Sequence, residues 1–287
     1  MPLSRRVVLC ACVVPLVGCS SPKVTMRFHP RAATYRFVMQ ENLKGSMVGG
    51  GSAAMPVGEA SIGGQFTEAI AGPRDSGIAV TWTIDTLTVT SPQAGVAARA
   101  ESAFATTLAR IKAMSFDVVY DDRMIPMHMQ VNDPTGLAGQ NRDAPNALRS
   151  AAHSFEFPLP REPLNKGETW RAADEFALPG LTGAAPVQVQ YELTVKDILV
   201  NGSDTSVVIG IATKFPDTPL PMTVQGIQLQ GKLTGAATGE ETFSLTDGAL
   251  VTGTMDGNVK VEMTIPALKT SVAIAYDLHV TMKRLGR

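Results

Sequence analysis

The apolar residues between positions 227 and 265 hold one odd-numbered phase for longer than an ordinary strand lasts. Ile227, Leu229, Leu233, Phe243 and Leu245 keep it over 19 residues. Asp247-Gly248 then offers a turn, and Val251, Met255, Val259, Val261, Met263 and Ile265 carry the same phase back. After Pro266, Val272, Ile274, Tyr276, Leu278, Val280 and Met282 alternate with polar Asp277, His279, Thr281 and Lys283. A period of two places every second side chain on one face of a strand. Most strands have roughly 3–10 residues, whereas these would span about 50–60 Å at ~3.3 Å per residue. A one-sided sheet of that length must curve. Gly231, Gly235, Gly239, Gly253 and Gly257 fall on the apolar phase, where bulky residues would otherwise stand. Glycine there relieves crowding as the sheet coils, or it widens a lumen for an apolar ligand. The second reading makes Gly231, Gly235, Gly253 and Val259 candidate lining residues.

The N-terminal half repeats the strand pattern with more interruptions. Tyr35, Phe37 and Met39 alternate, and Ala60, Ile62, Phe66 and Ile70 mark a second strand. Ile78, Val80, Trp82 and Ile84 give way after Asp85 to Leu87 and Val89, a one-residue phase change that signals a β-bulge. Gln93 to Met114 reads as a long helix, because Ala97, Ala100, Phe104, Leu108 and Ile111 recur at helical spacing. Asp121-Asp122-Arg123 reads as the turn of a hairpin, 144–154 as a short helix, and Asn201-Gly202 as a second hairpin turn. Residues 44–58 read as a loop around Gly49-Gly50-Gly51. The three prolines between Lys214 and Met222 mark another.

The expected fold class is therefore α+β, mainly antiparallel β. A long curved sheet of about ten to twelve strands, half-barrel-like or in two similar lobes, would wrap over one long helix at 93–114. The chain divides into a signal segment (1–18), a tether (19–32), an N-terminal β lobe (33–133), a connector with a short helix (134–158) and a long-stranded C-terminal lobe (159–287).

Residues 1–18 carry Arg5-Arg6, an apolar run from Val7 to Val17 and the small Gly18, the order of a secretory signal. The run is shorter than the ~20 residues of a membrane span. Leu16-Val17-Gly18-Cys19 resembles the lipobox of bacterial lipoproteins. That resemblance implies diacylglycerol on the Cys19 thiol, cleavage before it and an acylated new amine, since several chains anchor far more firmly than one. Ser20 after the cysteine resembles the signal for sorting to the outer membrane, so the expected location is the cell envelope, on the periplasmic side. Cys10 and Cys12 would leave with the signal and Cys19 would be lipidated, leaving no disulfide in an oxidising compartment.

Charge excludes one class of partner. The 25 basic and 26 acidic side chains become 23 and 26 without Arg5 and Arg6, and no basic block argues for nucleic acid. Met124-Ile125-Pro126-Met127-His128-Met129 has donors that suit Cu(I), but on a strand His128 points away from Met127 and Met129. His29, His128, His153 and His279 match no ligand spacing, and there is no G-x-S-x-G elbow. The reading is a non-enzymatic protein with no catalytic residue, metal or cofactor. The curved-sheet architecture resembles half-barrel envelope proteins, including lipoprotein-localisation factors and mycobacterial lipid-carrying lipoproteins. The resemblance implies a carrier of lipid or acyl chain, anchored to the membrane at Cys19. The alternative is an accessory envelope lipoprotein that binds a protein partner and has no ligand cavity.

Overall fold

The computed structural model describes residues 23–49, 55–74, 77–91, 109, 112–136, 156–176, 187–224, 227–265 and 270–286. Eleven strands form one antiparallel sheet: β1 (Ala33–Gly49), β2 (Met55–Arg74), β3 (Gly77–Thr90), β4 (Ser115–Tyr120), β5 (Pro126–Asn132), β6 (Thr169–Phe176), β7 (Val187–Asn201), β8 (Asp204–Val224), β9 (Ile227–Ser244), β10 (Ala249–Ile265) and β11 (Thr270–Leu285). Their spatial order is β5-β4-β3-β2-β1-β11-β10-β9-β8-β7-β6. The chain runs outward from β1 to the β5 edge, crosses to the opposite edge at β6 and meanders back. β11 then pairs with β1 from Arg36–Leu285 to Gly49–Val272. Strands β1–β5 fall within 33–133 and β6–β11 within 159–287, joined by this central seam.

The expected α+β class is overturned. Every named element is a strand, and among the described residues extended chain covers one end of the sheet's apolar face. Within the helix expected at 93–114, Ala109 and Lys112 are helical and Met114 is not. Positions 93–108, 110 and 111 lie outside the described residues, as does the short helix expected at 144–154.

Two extended segments do the closing. Residues 23–30 bury Val24, Met26, Phe28 and Pro30 while Lys23, Thr25 and His29 stay exposed, so most of the presumed tether packs as part of the core. Val24 and Leu164 exchange backbone bonds of 2.8 and 3.0 Å, Phe28 N donates to Asp122 O at 2.8 Å, and His29 N donates to Gly248 O at 3.1 Å. Arg27 reaches the carbonyls of Pro160 and Arg161 and pairs with Asp122 at 3.1 Å. Leu159 N donates to Arg123 O at 2.8 Å, and the Trp170 indole to Pro158 O at 2.9 Å. The segment before β6 thus ties the β4–β5 turn to the β6 edge. One end of the sheet's apolar face is thus covered. Tyr35, Phe37, Ile70, Val80, Val118, Tyr120, Leu193, Ile209, Phe243 and Met282 pack there beneath Met26, Phe28 and Leu159.

Sequence signals and register agree at the expected bulge: Gln65 faces Thr86 and Phe66 faces Ile84, leaving Asp85 extra. Asp121 Oδ1 accepts from the backbone N–H of Arg123 and Ile125 at 2.9 and 2.8 Å, which fixes the expected turn. The loop expected at the three prolines is instead strand. β8 continues through Thr218–Leu233 to Val224–Ile227 after a register shift between Phe215 and Thr218. The shift absorbs Pro216-Asp217, and Pro219 and Pro221 then pair with Lys232 and Gln230. β1 and β2 likewise extend into the loop expected at 44–58.

Candidate ligand-binding face

Register sorts the side chains onto two unlike faces, because residues directly opposite in an antiparallel pair share a face. The outer face is polar. Gln40–Thr281, Asn42–His279 and Lys44–Asp277 pair across β1 and β11, and Thr254–Glu240 and Asp256–Thr238 across β10 and β9. Side chains there satisfy each other. His279 Nδ1 meets Asp256 Oδ1 at 2.6 Å, the Asn258 amide donates to Asp277 at 2.6 Å, and Lys44 pairs with Glu59 at 3.0 Å. Two shallow grooves run over this face, one lined by Asn42, Lys44, Glu59, Asp256, Asp277 and His279, the other by Glu192, Lys196, Thr238 and Glu240.

The inner face is mainly apolar, interrupted by Glu41 between Val280 and Ile62 and by Glu68 and Glu241, and its burial changes along the strands. At the closed end it is fully packed. Further along the same strands Leu43, Ile62, Leu87, Met255, Val259, Ile274, Tyr276 and Leu278 remain only half-buried on that face. A second small core of Val187, Leu233 and Val261 covers part of the β9–β10 side, with Phe215, Val259 and Met263 against it.

All four candidate lining residues lie on this face, in adjacent strands. Gly231 faces Met263, Gly235 faces Val259, and Gly253 faces both Glu241 and Met282. At Gly235 and the neighbouring Gly239, the missing side chain makes room for backbone. A Cβ on Gly235 would collide with Asn258 O and stand 3.0 Å from Val259 Cα. One on Gly239 would collide with Thr254 O and stand 2.9 Å from Met255 Cα. Crowding where β9 and β10 coil accounts for these two glycines. Cys19 lies outside the described residues. His128 faces Val119 and is exposed, whereas Met129 packs inward, so the Met-His-Met run does not converge. Among the described residues no group of His, Cys, Asp or Glu is spaced to hold a metal ion.

The closed end contains ionisable groups that sequence reasoning passed over. Glu68 on β2 lies between Tyr35 and Trp82 in the register, and Glu241 on β9 lies between Ile209 and Gly253. They are 5% and 2% exposed. The Tyr120 hydroxyl donates to Glu156 Oε2 at 2.6 Å. Burial, reinforced by the charge of Glu156 and partly offset by Arg284, pushes the Glu68 carboxyl from 4.5 up to about 8. Burial and then Glu156 drive Glu241 well above the usual carboxylate range, and the same pair of causes raises Tyr120. Arg284 bonds Asp247 at 2.6 Å, with both side chains mostly buried, and its guanidinium sits 5.0 Å from the Tyr35 ring centre. Among the described residues, Tyr35 Oη, Trp82 Nε1, Thr213 Oγ1, Glu241 Oε2 and Arg284 Nη1 are buried without a hydrogen-bond partner. In this cluster burial favours the protonated form of Glu68 and Glu241, which makes the packing of this end sensitive to alkali. Its signal was present in the sequence: Glu68 keeps phase with Phe66 and Ile70, and Glu241 with Leu233 and Phe243.

No protein-family model and no curated protein matches the chain. Among solved structures it is similar to a chain described under lipid–protein interactions in lipovitellin, with a TM-score of 0.49 at 12% identity over 90% of this chain and 25% of that one. It also aligns with the P. putida toluene transporter TodX, with a TM-score of 0.15 at 9% identity over 91% of this chain and 92% of that one. This chain spans a quarter of the lipovitellin chain.

Proposed function

We propose that this chain is a cell-envelope lipoprotein, anchored through Cys19, that carries an apolar ligand such as a lipid acyl chain on the concave face of its sheet. The observation that supports the reading is the change in burial along that face. Its apolar stripe runs past the packed end into half-buried Leu43, Met255, Val259, Ile274 and Leu278, on strands whose other face is polar. Half-buried apolar surface lined up along a concave wall is what a chain-like apolar ligand covers, at about 25 cal/mol per Å² removed from water. Anchorage favours the periplasmic face of the outer membrane, through the lipobox and Ser20.

The mature chain carrying Cys19→Ser, purified without detergent, should retain a solvent-extractable apolar molecule in native mass spectrometry. It should also bind a fluorescent fatty acid, and Val259→Glu should weaken that binding about tenfold or more by placing a charge on the apolar wall. Protein that holds nothing and binds no fatty acid overturns the carrier reading. The anchor is tested separately: the wild-type chain from the membrane fraction should carry diacylglycerol mass on Cys19, which Cys19→Ser abolishes.

A further inference from the structure

The large apolar side chains that reach solvent stand at strand ends on one end of the sheet. Among the described residues they are Met127, Leu199, Val200 and Leu285, exposed by 52%, 46%, 71% and 43%. Met127 is the second residue of β5, Leu199 and Val200 are the last two before the final residue of β7, and Leu285 ends β11. Each of those strand ends lies at the closed end, where residues 23–30 bond the β4–β5 turn at Asp122 and the β9–β10 turn at Gly248. The β7–β8 hairpin projects furthest: Leu199 through Asp204 are all exposed.

The chain from Cys19 enters at the same place. Val24 is fixed to Leu164 by two backbone bonds, and Lys23 lies close enough to Glu168 to help hold its carboxyl below the usual range. Glu168 O accepts from Val195 N at 3.0 Å, and Lys166 Nζ meets Asp197 Oδ1 at 2.7 Å. Val200 is three residues beyond Asp197, about 10 Å along a strand. Cys19 is five residues before Val24, so a lipid on it can be no more than about 18 Å of chain from a locked point of the domain. That keeps the point where residues 23–30 enter within about 18 Å of the membrane.

We infer that the closed end is a bilayer-contacting surface, in which the Leu199-Val200 hairpin tip enters the lipid interface beside the anchor while Met127 and Leu285 flank it. This rests on the proposed anchorage at Cys19. Apolar side chains on a short projecting tip gain by leaving water for the interface, and a nearby anchor supplies the local concentration that makes a small apolar surface sufficient. The open, half-buried trough then points away from the membrane, toward solvent.

The test uses the mature chain with Cys19→Ser and an added N-terminal histidine tag, held on phosphatidylethanolamine and phosphatidylglycerol vesicles doped with a nickel-chelating lipid. No other cysteine follows position 19, so Val200→Cys, Met127→Cys and, as control, Ala236→Cys on the outer face of β9 each take one environment-sensitive fluorophore. Emission at 200 and 127 should shift to the blue on the vesicles while 236 stays unchanged. No shift at 200, an equal shift at all three positions, or a shift at 200 that appears without vesicles as protein concentration rises would each overturn the inference. The last outcome marks a protein partner instead of lipid. On vesicles with a limiting amount of nickel-chelating lipid, Leu199→Asp with Val200→Asp should lower retention about tenfold, with circular dichroism and thermal midpoint confirming that the pair still folds. The tag replaces the natural anchor, so failure at Cys19 is read from the mass of the wild-type chain and failure here from the fluorophores.

Discussion

Replacing Glu68 by Gln should remove much of the protein's sensitivity to alkali. Glu68 is fully enclosed between Tyr35 and Trp82, and its carboxyl is held up to about 8 against an ordinary 4.5. The folded chain therefore keeps a proton that the unfolded chain gives up. Between pH 4.5 and about 8 the native state binds more protons than the denatured one, so stability falls as pH rises through this window. The contribution is fully present below 4.5 and gone above about 8. At ~1.4 kcal/mol per tenfold change in proton affinity, the whole window is worth on the order of 5 kcal/mol, of which about 4 lies above pH 5. Glutamine keeps the shape and cannot ionise. Urea unfolding at pH 5 and pH 9, followed by the fluorescence of Trp82, which packs 5.5 Å from the Phe37 ring, together with Trp170, should show a wild-type loss of several kcal/mol. Glu68→Gln should lose roughly 4 kcal/mol less, match wild type within about 1 kcal/mol at pH 5, and be the more stable protein at pH 9. Glu241→Gln should leave the Glu68 component in place, because the two carboxyls sit on strands on opposite sides of the β1–β11 seam and each carries its own burial. If Glu68→Gln keeps the full wild-type loss between pH 5 and pH 9, the buried-proton reasoning is wrong.

Two further substitutions probe how the closed end is built. Phe28→Ala removes a ring that lies 5.3 Å from Tyr120 and is 3% exposed, and should cost about 3–5 kcal/mol in chemical unfolding; a change under ~1 kcal/mol would mean that residues 23–30 are a loose tether after all. Gly239→Ala drives a Cβ into the backbone of Thr254 and Met255 and should cost about 1–3 kcal/mol or more, with slower refolding yield measurable by circular dichroism, whereas a neutral result would show that β9 and β10 separate easily at that point.

What was legible in the chain follows from range. The Asp85 bulge, the Asp121 turn and the shared phase of β9 and β10 are each written in residues a few positions apart, where alternation and turn chemistry act directly. Proline at 216, 219 and 221 misled because its missing N–H argues against a ladder only at bonded positions. A bulge at Pro216-Asp217 re-phased the strand, and the pairing resumed. The closure of the barrel end was hidden for a different reason. Val24 and Leu164 stand 140 positions apart and share two bonds, so no local pattern announces the pair, although Val24, Met26 and Phe28 already alternate with Lys23, Thr25 and Arg27. The expected helix class failed at the same point. An apolar sheet face demands cover, and helical periodicity nearby made a helix the natural supplier, but the extended chain before β1 and before β6 meets the demand at one end. The buried carboxyls follow the same logic in reverse. Glu68 and Glu241 sit in phase with large apolar residues, where an exposed strand face would be the ordinary place for them. A charge in the apolar phase of a long one-sided strand is thus the local sign of a non-local fact: that face has been enclosed by something distant in the chain, and the carboxyl responds by keeping its proton.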